Sequence, residues 1–460
     1  MRKYDLVVIG SGPAGEKAAI QAAKLDKDVL MVECMDSPGG SCMHTGTIPS
    51  KTLRESVRFI SLIKQRAIFG ISMIMDEGVT VNRLMHRRHN ATMSLVERLE
   101  NNLKRNNVEY LHGRAQFSDT HRLEIHSTGD TTEKVEAEKI IIATGGRPFR
   151  PEWIDFEHPR VMDSDTILEL EEIPRTLTII GAGVVGCEYA TIFAPLGVKV
   201  NLVNPRQELL DFLDSEISNA LAYLMREQGI RIRLGETLNA VECRDDQVFA
   251  HTESGKVLKS DCLLYANGRM GNTEGMGLEA LGLSFNTRQQ LEVNQFFQTS
   301  QPHIYGVGDV IGYPSLAATA MDQGRLAALH AFSDMTEGTK YNLLPTGIYT
   351  IPEISTVGAT EQELTQQKIP YEVGSATYRE IARGQIAGNT TGRLKLLFDR
   401  NDLRLLGVHI IGDYATDLVH IGQTAMAFGG SIDFFINNVF NYPTYSECYR
   451  VAALNGINRL

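Results

Sequence analysis

Residues 5–33 read DLVVIGSGPAGEKAAIQAAKLDKDVLMVE, and residues 176–204 read TLTIIGAGVVGCEYATIFAPLGVKVNLVN. The two align without a gap at an offset of 171 residues. Each opens on a short β-branched run, passes through G-x-G-x-x-G, continues as a helical stretch and closes on a second apolar run. That is the pattern of a β-α-β unit of about 30 residues. Gly10 and Gly181 permit the tight turn after the strand. Gly12 and Gly183 let a pyrophosphate approach the backbone, and Gly15 and Gly186 let helix and strand pack closely. The helix N-terminus then faces the phosphates with free N–H groups and a positive dipole end. One such fingerprint is weak. Two in register, each led by a strand and followed by a helix, predict two dinucleotide sites.

The last residue of each unit separates the sites. An acid about 20 residues beyond the first glycine accepts hydrogen bonds from the adenosine ribose. The first unit supplies Glu33; the second has Asn204 in its place, with Arg206 two residues later. An acid would repel a 2′-phosphate. Asn204 is neutral and can bond a 2′-hydroxyl, while Arg206 can pair a phosphate, so the second site is expected to accept NADP and NAD.

The chain around these units has 460 residues, enough for about three domains. With 43% hydrophobic and 22% charged residues it is expected to be globular rather than disordered or fibrous. A net charge of −11 argues against nucleic acid or an anionic membrane as a partner. The six cysteines, at 34, 42, 187, 243, 262 and 448, include no C-x-x-C and are too sparse for a disulfide framework. A reduced, cytoplasmic setting is expected. The apolar run Leu6 to Gly10 is shorter than the roughly 7–15 residues of a signal-peptide core, and no segment reaches the ~18 of a membrane span. No metal site is expected. The cluster His86-Arg87-Arg88-His89 reads as the solvated face of a helix.

A third apolar strand, Lys139 to Ala143, runs into Thr144-Gly145-Gly146 and then Pro148 and Pro151. A second boundary lies near Asn267-Gly268-Arg269, and Ile304 to Asp309 is another strand ending on glycines and an acid, well placed to meet a ligand at a sheet's carboxyl edge. A polar stretch, Ser333 to Asn342, leads to a last segment without a glycine fingerprint, where Leu394 to Phe398 and Leu405 to Ile411 read as strands of an α+β module.

Together these motifs resemble the flavoprotein pyridine-nucleotide disulfide oxidoreductases over nearly the whole chain. The resemblance rests on both fingerprints, Gly39-Gly40-Ser41-Cys42 through Ile48-Pro49-Ser50-Lys51, Gly306-Val307-Gly308-Asp309, and Tyr442-Pro443-Thr444 with Glu447. It implies an α/β fold with two Rossmann-like dinucleotide-binding domains followed by an α+β dimerisation domain. Residues 1–148 with 268–336 would hold FAD non-covalently, 149–267 would bind NAD(P), and 343–460 would form the interface of a homodimer or larger homo-oligomer. The FAD set implied is Gly10, Gly12, Gly15, Glu33, Gly39, Gly40, Cys42, Lys51, Thr144, Gly145 and Asp309. The NAD(P) set is Gly181, Gly183, Gly186, Asn204, Arg206 and Gly268. Lys51 and Glu188 correspond to the family's ion pair beside flavin N5, and Tyr442 and Glu447 would reach the partner subunit's site.

Two departures from that family bear on function. Its disulfide reductases carry a redox pair Cys-x4-Cys; here Cys42 is followed by Thr47, and a hydroxyl cannot form a disulfide. Five residues of ideal helix would also separate the two positions by about 7.5 Å. The family also has a His immediately before the C-terminal Pro-Thr, where this chain has Tyr442; a free phenol, with a reference pKa near 10, is a poor proton relay at neutral pH. What remains is the hydride half of the reaction. The expectation is transhydrogenation through the flavin, NADPH giving its hydride and NAD⁺ receiving it. The alternatives are a diaphorase or NAD(P)H oxidase, a disulfide reductase pairing Cys42 with a distant cysteine such as Cys448, and a nucleotide-sensing flavoprotein without catalysis.

Overall fold

The computed structural model describes residues 1–65, 84, 86–127, 131–336, 338 and 341–460. Strand β1 (Arg2–Ile9), helix α1 (Pro13–Ala23) and strand β2 (Val29–Glu33) form the first unit. Leu6, Val7 and Val8 are fully buried, as expected of a parallel strand covered on both faces. A helical excursion follows: α2 (Gly40–His44), α3 (Thr47–Gln65) and α4 (His86–Arg105). The side chains of His86 to His89 lie outside the described residues.

The chain returns as β3 (Glu109–His112), β4 (Arg114–Phe117), β5 (Arg122–His126) and β6 (Thr132–Ile142). The long β6 does two jobs. Its first half closes an antiparallel meander with β4 and β5, and its second half pairs in parallel with β1. From β7 (Gly146–Pro148) the chain crosses to a second sheet.

That sheet contains β8 (Val161–Met162), β9 (Thr176–Ile180), helix α5 (Val184–Phe193), β10 (Lys199–Asn204), α6 (Ser215–Glu227) and β11 (Arg231–Leu234). An antiparallel meander, β12 (Leu238–Arg244), β13 (Gln247–Thr252) and β14 (Val257–Ser260), leads to β15 (Cys262–Tyr265). The parallel order is β11-β10-β9-β15-β8. Next, β16 (Arg269–Gly271) pairs antiparallel with β7, so the outgoing and returning chains run side by side. β17 (Ile304–Gly306) then adds in parallel to β6, giving the first sheet a parallel core β3-β2-β1-β6-β17. The repeat therefore extends beyond the fingerprints: β3-β2-β1-β6 and β11-β10-β9-β15 share one order, each with a meander entering its fourth strand, but the strand beside the fourth comes from later in the chain in the first sheet (β17) and from before the unit in the second (β8). Helix α7 (Ala317–Phe332) packs on α1, so closely that a Cβ on Gly324 would lie 2.0 Å from the Ala14 carbonyl oxygen.

The last domain is an antiparallel sheet ordered β18-β19-β22-β21-β20. Its elements are β18 (Thr346–Ile348), β19 (Ile354–Gly358), α8 (Glu361–Gln366), β20 (Tyr371–Thr377), β21 (Arg393–Asp399), β22 (Leu405–Ile411), α9 (Ala415–Ala427) and α10 (Glu447–Ile457). Phe398, Phe435 and Tyr449 fill the space between sheet and helices. Phe428 and Val439 lie on its surface, 86% and 91% exposed.

A buried polar junction ties this domain to the second sheet. The fully buried Lys395 of β21 donates to Asp214, the N-cap of α6, at 2.8 Å, and also pairs with Glu216 and Glu361. The three carboxylates lie close enough to suggest a cation site, but the lysine ammonium already sits among them. Among the described residues no helix is long and apolar enough to cross a membrane.

Candidate functional site

The two glycine turns are built alike. Gly10 and Gly181 have φ of 105° and 104°, the left-handed region that a side chain disfavours. A Cβ on Gly15 or Gly186 would lie within 2 Å of the carbonyl oxygen of Gly10 or Gly181, so each helix rests directly on its strand. Gly12 and Gly183 differ from these. Their φ values of −62° and −78° suit any residue. A Cβ there would meet nothing closer than 4.0 Å, so packing within the chain does not demand glycine at either place. The space left open lies at a helix N-terminus, whose free N–H groups favour an anionic group.

The ends of the two units are also matched. Glu33, buried, accepts from the Ser11 N–H at 2.9 Å and the Ser11 hydroxyl through Oε2, and from the Met35 N–H at 2.9 Å through Oε1. At the equivalent place Asn204 Oδ1 accepts from the Ala182 N–H at 3.2 Å, and its amide donates to the carbonyls of Arg206 and Glu208. Each residue thus braces its own turn and keeps an acceptor lone pair unused. The Arg206 guanidinium is exposed and paired with Asp211.

Near the first turn, Gly40 packs on Gly12, and the Gly39 N–H donates to Ser11 Oγ at 3.0 Å. Cys42 sits in α2, but the helix does not run on to Thr47. It stops at Thr45, where the Gly46 N–H closes on the Ser41 carbonyl, and α3 starts afresh at Thr47. The separation expected of one continuous helix is therefore wrong: the break folds position 47 back, near enough for the Thr47 side chain to act on the Cys42 thiol. Burial raises the Cys42 thiol above its usual range, against the pull of Thr47 and of the Lys51 ammonium, with Asp309 reinforcing it. Cys42 is thus biased toward the thiol form, with a hydroxyl rather than a second thiol nearby. All six cysteines are free. Cys448 lies buried in the last domain, its pKa pushed up to about 12 by burial, and is no partner for Cys42 within this chain.

One turn beyond Thr47, Lys51 reaches out of α3 to Glu188 of α5, Nζ to Oε2 at 2.6 Å. The other oxygen of Glu188 accepts the Tyr349 N–H at 2.8 Å, and Lys51 Nζ lies 5.1 Å from the Tyr349 ring centroid. The first unit, the second unit and the last domain therefore meet at one carboxylate. Tyr349 was not foreseen from the sequence. Its contribution is a backbone N–H, which has no residue signature, and only the aromatic ring could have drawn attention.

Asp309 follows β17. Burial raises its carboxyl above the usual range, while Arg269 works the other way with Nε 3.9 Å distant. Arg269 also reaches Asp165 at 3.5 Å, so one guanidinium spans carboxylates of both nucleotide units. Thr144 and Gly145 are tied to the returning strand through Asn272, whose N–H donates to the Gly145 carbonyl at 3.0 Å. Gly268, next to Arg269, accepts from the Phe149 N–H at the crossing between the units. Among the described residues no hydrogen bond or ion pair joins Tyr442 or Glu447 to this cluster within one chain. Tyr442 is 67% exposed, and Glu447 Oε2 is buried without a hydrogen-bond partner.

Comparison with known proteins agrees with this architecture. The family described as "Pyridine nucleotide-disulphide oxidoreductase" matches residues 4–324, and its dimerisation domain matches residues 344–453. Proteins named soluble pyridine nucleotide transhydrogenase are similar over the full length. That of a Marinomonas strain is 48% identical, covering 100% of this chain and 99% of the relative. That of Mycobacterium tuberculosis is 48% identical, covering 100% and 98%. Among solved structures, the HOCl-induced flavoprotein disulfide reductase RclA of Escherichia coli, as its Cu(II) complex, superposes with a TM-score of 0.89 at 27% identity, covering 99% of each chain.

Proposed function

The chain belongs to the pyridine nucleotide-disulphide oxidoreductase family, and from that premise we propose that it moves hydride from NADPH to NAD⁺ through FAD, without a redox disulfide. The observation that carries the reading is the contrast at α3: the Lys51–Glu188 pair is intact, while position 47, where a second thiol would be needed, is a threonine. The transhydrogenases among its full-length relatives support it.

FAD, when bound, supplies a two-electron carrier that takes hydride from one nicotinamide and passes it to the next. Gly10, Gly12, Gly15, Glu33, Gly39, Gly40, Thr144, Gly145 and Asp309 are the residues that would hold it; Cys42 would line the same cavity. Residues 1–148 with 268–336 make up that unit, a division supported by the addition of β17 to β6. The unit 149–267 takes the nicotinamide nucleotides in turn at Gly181, Gly183, Gly186, Asn204, Arg206 and Gly268. Lys51 places a fixed positive charge where electron density arrives, and Glu188 holds that ammonium in place. Segment 343–460 assembles the homo-oligomer and presents Tyr442 and Glu447 toward the neighbouring subunit. The cytoplasm is the setting in which six unpaired cysteines persist.

The test uses the FAD-loaded protein, NADPH and a spectrally distinct NAD analogue, with no thiol or lipoamide present. Hydride transfer to the analogue is expected; its absence would overturn the reading. In the same assay Lys51→Met should slow bleaching of the yellow protein by NADPH by about 100-fold. Two new thiols per subunit after reduction by NADPH would point instead to a disulfide reductase.

A further inference from the structure

We propose that Asp211 determines how the second nucleotide site weighs NADP against NAD, by acting as the internal counter-anion of Arg206. The inference rests on Arg206 being the residue that meets the 2′-phosphate. Asn204 cannot make the distinction alone, because both hydrogens of its amide are taken by the carbonyls of Arg206 and Glu208. Of the charged residues just beyond it, Arg206, Glu208 and Asp211, the first and last form an ion pair, five residues apart.

Their positions are built into the loop. The Arg206 carbonyl accepts the Gly235 N–H at 3.1 Å, which fixes the start. The Leu210 N–H donates to the Ala182 carbonyl at 3.2 Å, tying the middle to the fingerprint turn. Leu209, Leu210 and Leu213 are buried, and Asp214 is locked by Lys395 at 2.8 Å. The Asp211 carboxylate is therefore held beside Arg206 by structure around it, while both head groups stay open to solvent, 44% and 67% exposed.

Such an exposed pair is weak and readily exchanged. With NAD in the site the pair stays closed, and the 2′-hydroxyl meets a neutral surface. With NADP the 2′-phosphate takes the guanidinium, for which it offers a better bidentate partner, and Asp211 is released to water. The carboxylate thus holds back an arginine that would otherwise favour NADP strongly. This suits a site that must accept both nucleotides within one cycle.

The experiment measures KM for NADPH and for NAD with the full-length, FAD-loaded protein and its Asp211→Asn, Asp211→Glu and Arg206→Gln variants. Asp211→Asn should lower the ratio of the NADPH KM to the NAD KM about two- to fivefold, the span of an exposed ion pair. Asp211→Glu should return the ratio toward the parent's, which a merely structural role for the loop would not predict. Arg206→Gln should raise the NADPH KM about tenfold or more. If Arg206→Gln weakens NADPH but Asp211→Asn leaves the ratio unchanged or raises it, the assignment of Asp211 is overturned while that of Arg206 stands. If Arg206→Gln does not affect NADPH, both are overturned. Flavin absorbance and circular dichroism establish that each variant is folded.

Discussion

The break at Thr45 and Gly46 folds position 47 back toward Cys42, so a thiol placed at 47 is expected to fall within reach of the existing one. Oxidised Thr47→Cys is therefore expected to titrate two fewer thiols, under denaturing conditions, than the same protein reduced by NADPH. Equal counts would show that position 47 does not fold back toward Cys42 as described. The chemistry at position 47 was legible in the sequence, because a hydroxyl is not a thiol in any fold. Its geometry was misread, although the signals were present. Gly46 supplies a close approach, a Cβ there lying 3.0 Å from the Ser41 carbonyl, and Pro49 sits in the first turn of the helix that restarts, where its missing N–H costs nothing. Lys51 and Glu188, 137 residues apart, could be joined only through the family resemblance; no local pattern links them.

At the scale of the element, the β-α-β repeat was the most legible feature, since strand, turn and helix each leave a local trace. The topology around it was not, because β17 joins β6 from more than 160 residues downstream. The glycines of the second turn fall into two physical kinds that one experiment separates. Gly186→Ala drives a methyl to within 1.8 Å of the Gly181 carbonyl, forcing α5 off its strand. Loss of soluble, cooperatively unfolding protein is expected. Gly183→Ala meets no protein atom within 4 Å and should leave the thermal unfolding midpoint near that of the parent. Its methyl occupies the approach to the helix N–H groups, so NADPH binding should weaken about tenfold, the equivalent of one charge-assisted hydrogen bond. Unchanged NADPH affinity in Gly183→Ala would show that the phosphates lie elsewhere.

For the whole molecule, the junction between the nucleotide units and the last domain sets a dependence on acid. His409 is fully buried on β22, donating from Nε2 to the Ala359 carbonyl at 2.9 Å and accepting from the Thr356 hydroxyl at Nδ1. Burial holds its pKa below the ordinary 6.5; Asp214, the Ala359 carbonyl and Glu363 oppose that shift and Lys395 adds to it. The folded protein keeps this ring neutral, while the unfolded chain protonates it. Stability is therefore complete above about pH 6.5 and is lost as pH falls through that value toward the lowered folded one, at most about 1.4 kcal/mol per pH unit for one histidine. His303 and His330 are shifted the same way, also by burial. The urea midpoint should thus fall between pH 7 and 5.5, and His409→Gln should fall less steeply than its parent; parallel profiles would exclude His409 as a contributor. None of this was visible in the sequence, because a lone histidine in an apolar strand does not reveal what will pack over it. The paired turns carry one further consequence, in time rather than in space. A prosthetic group must stay bound through very many cycles, whereas a substrate must leave twice in each. The turns differ where Glu33, an anion, stands in one and Asn204, an amide, in the other. Hydrogen bonds to a carboxylate are roughly twice as strong as neutral ones, and related sites differ mainly in how fast they let go. On this reading a duplicated scaffold serves two dwell times, long at the first turn and short at the second.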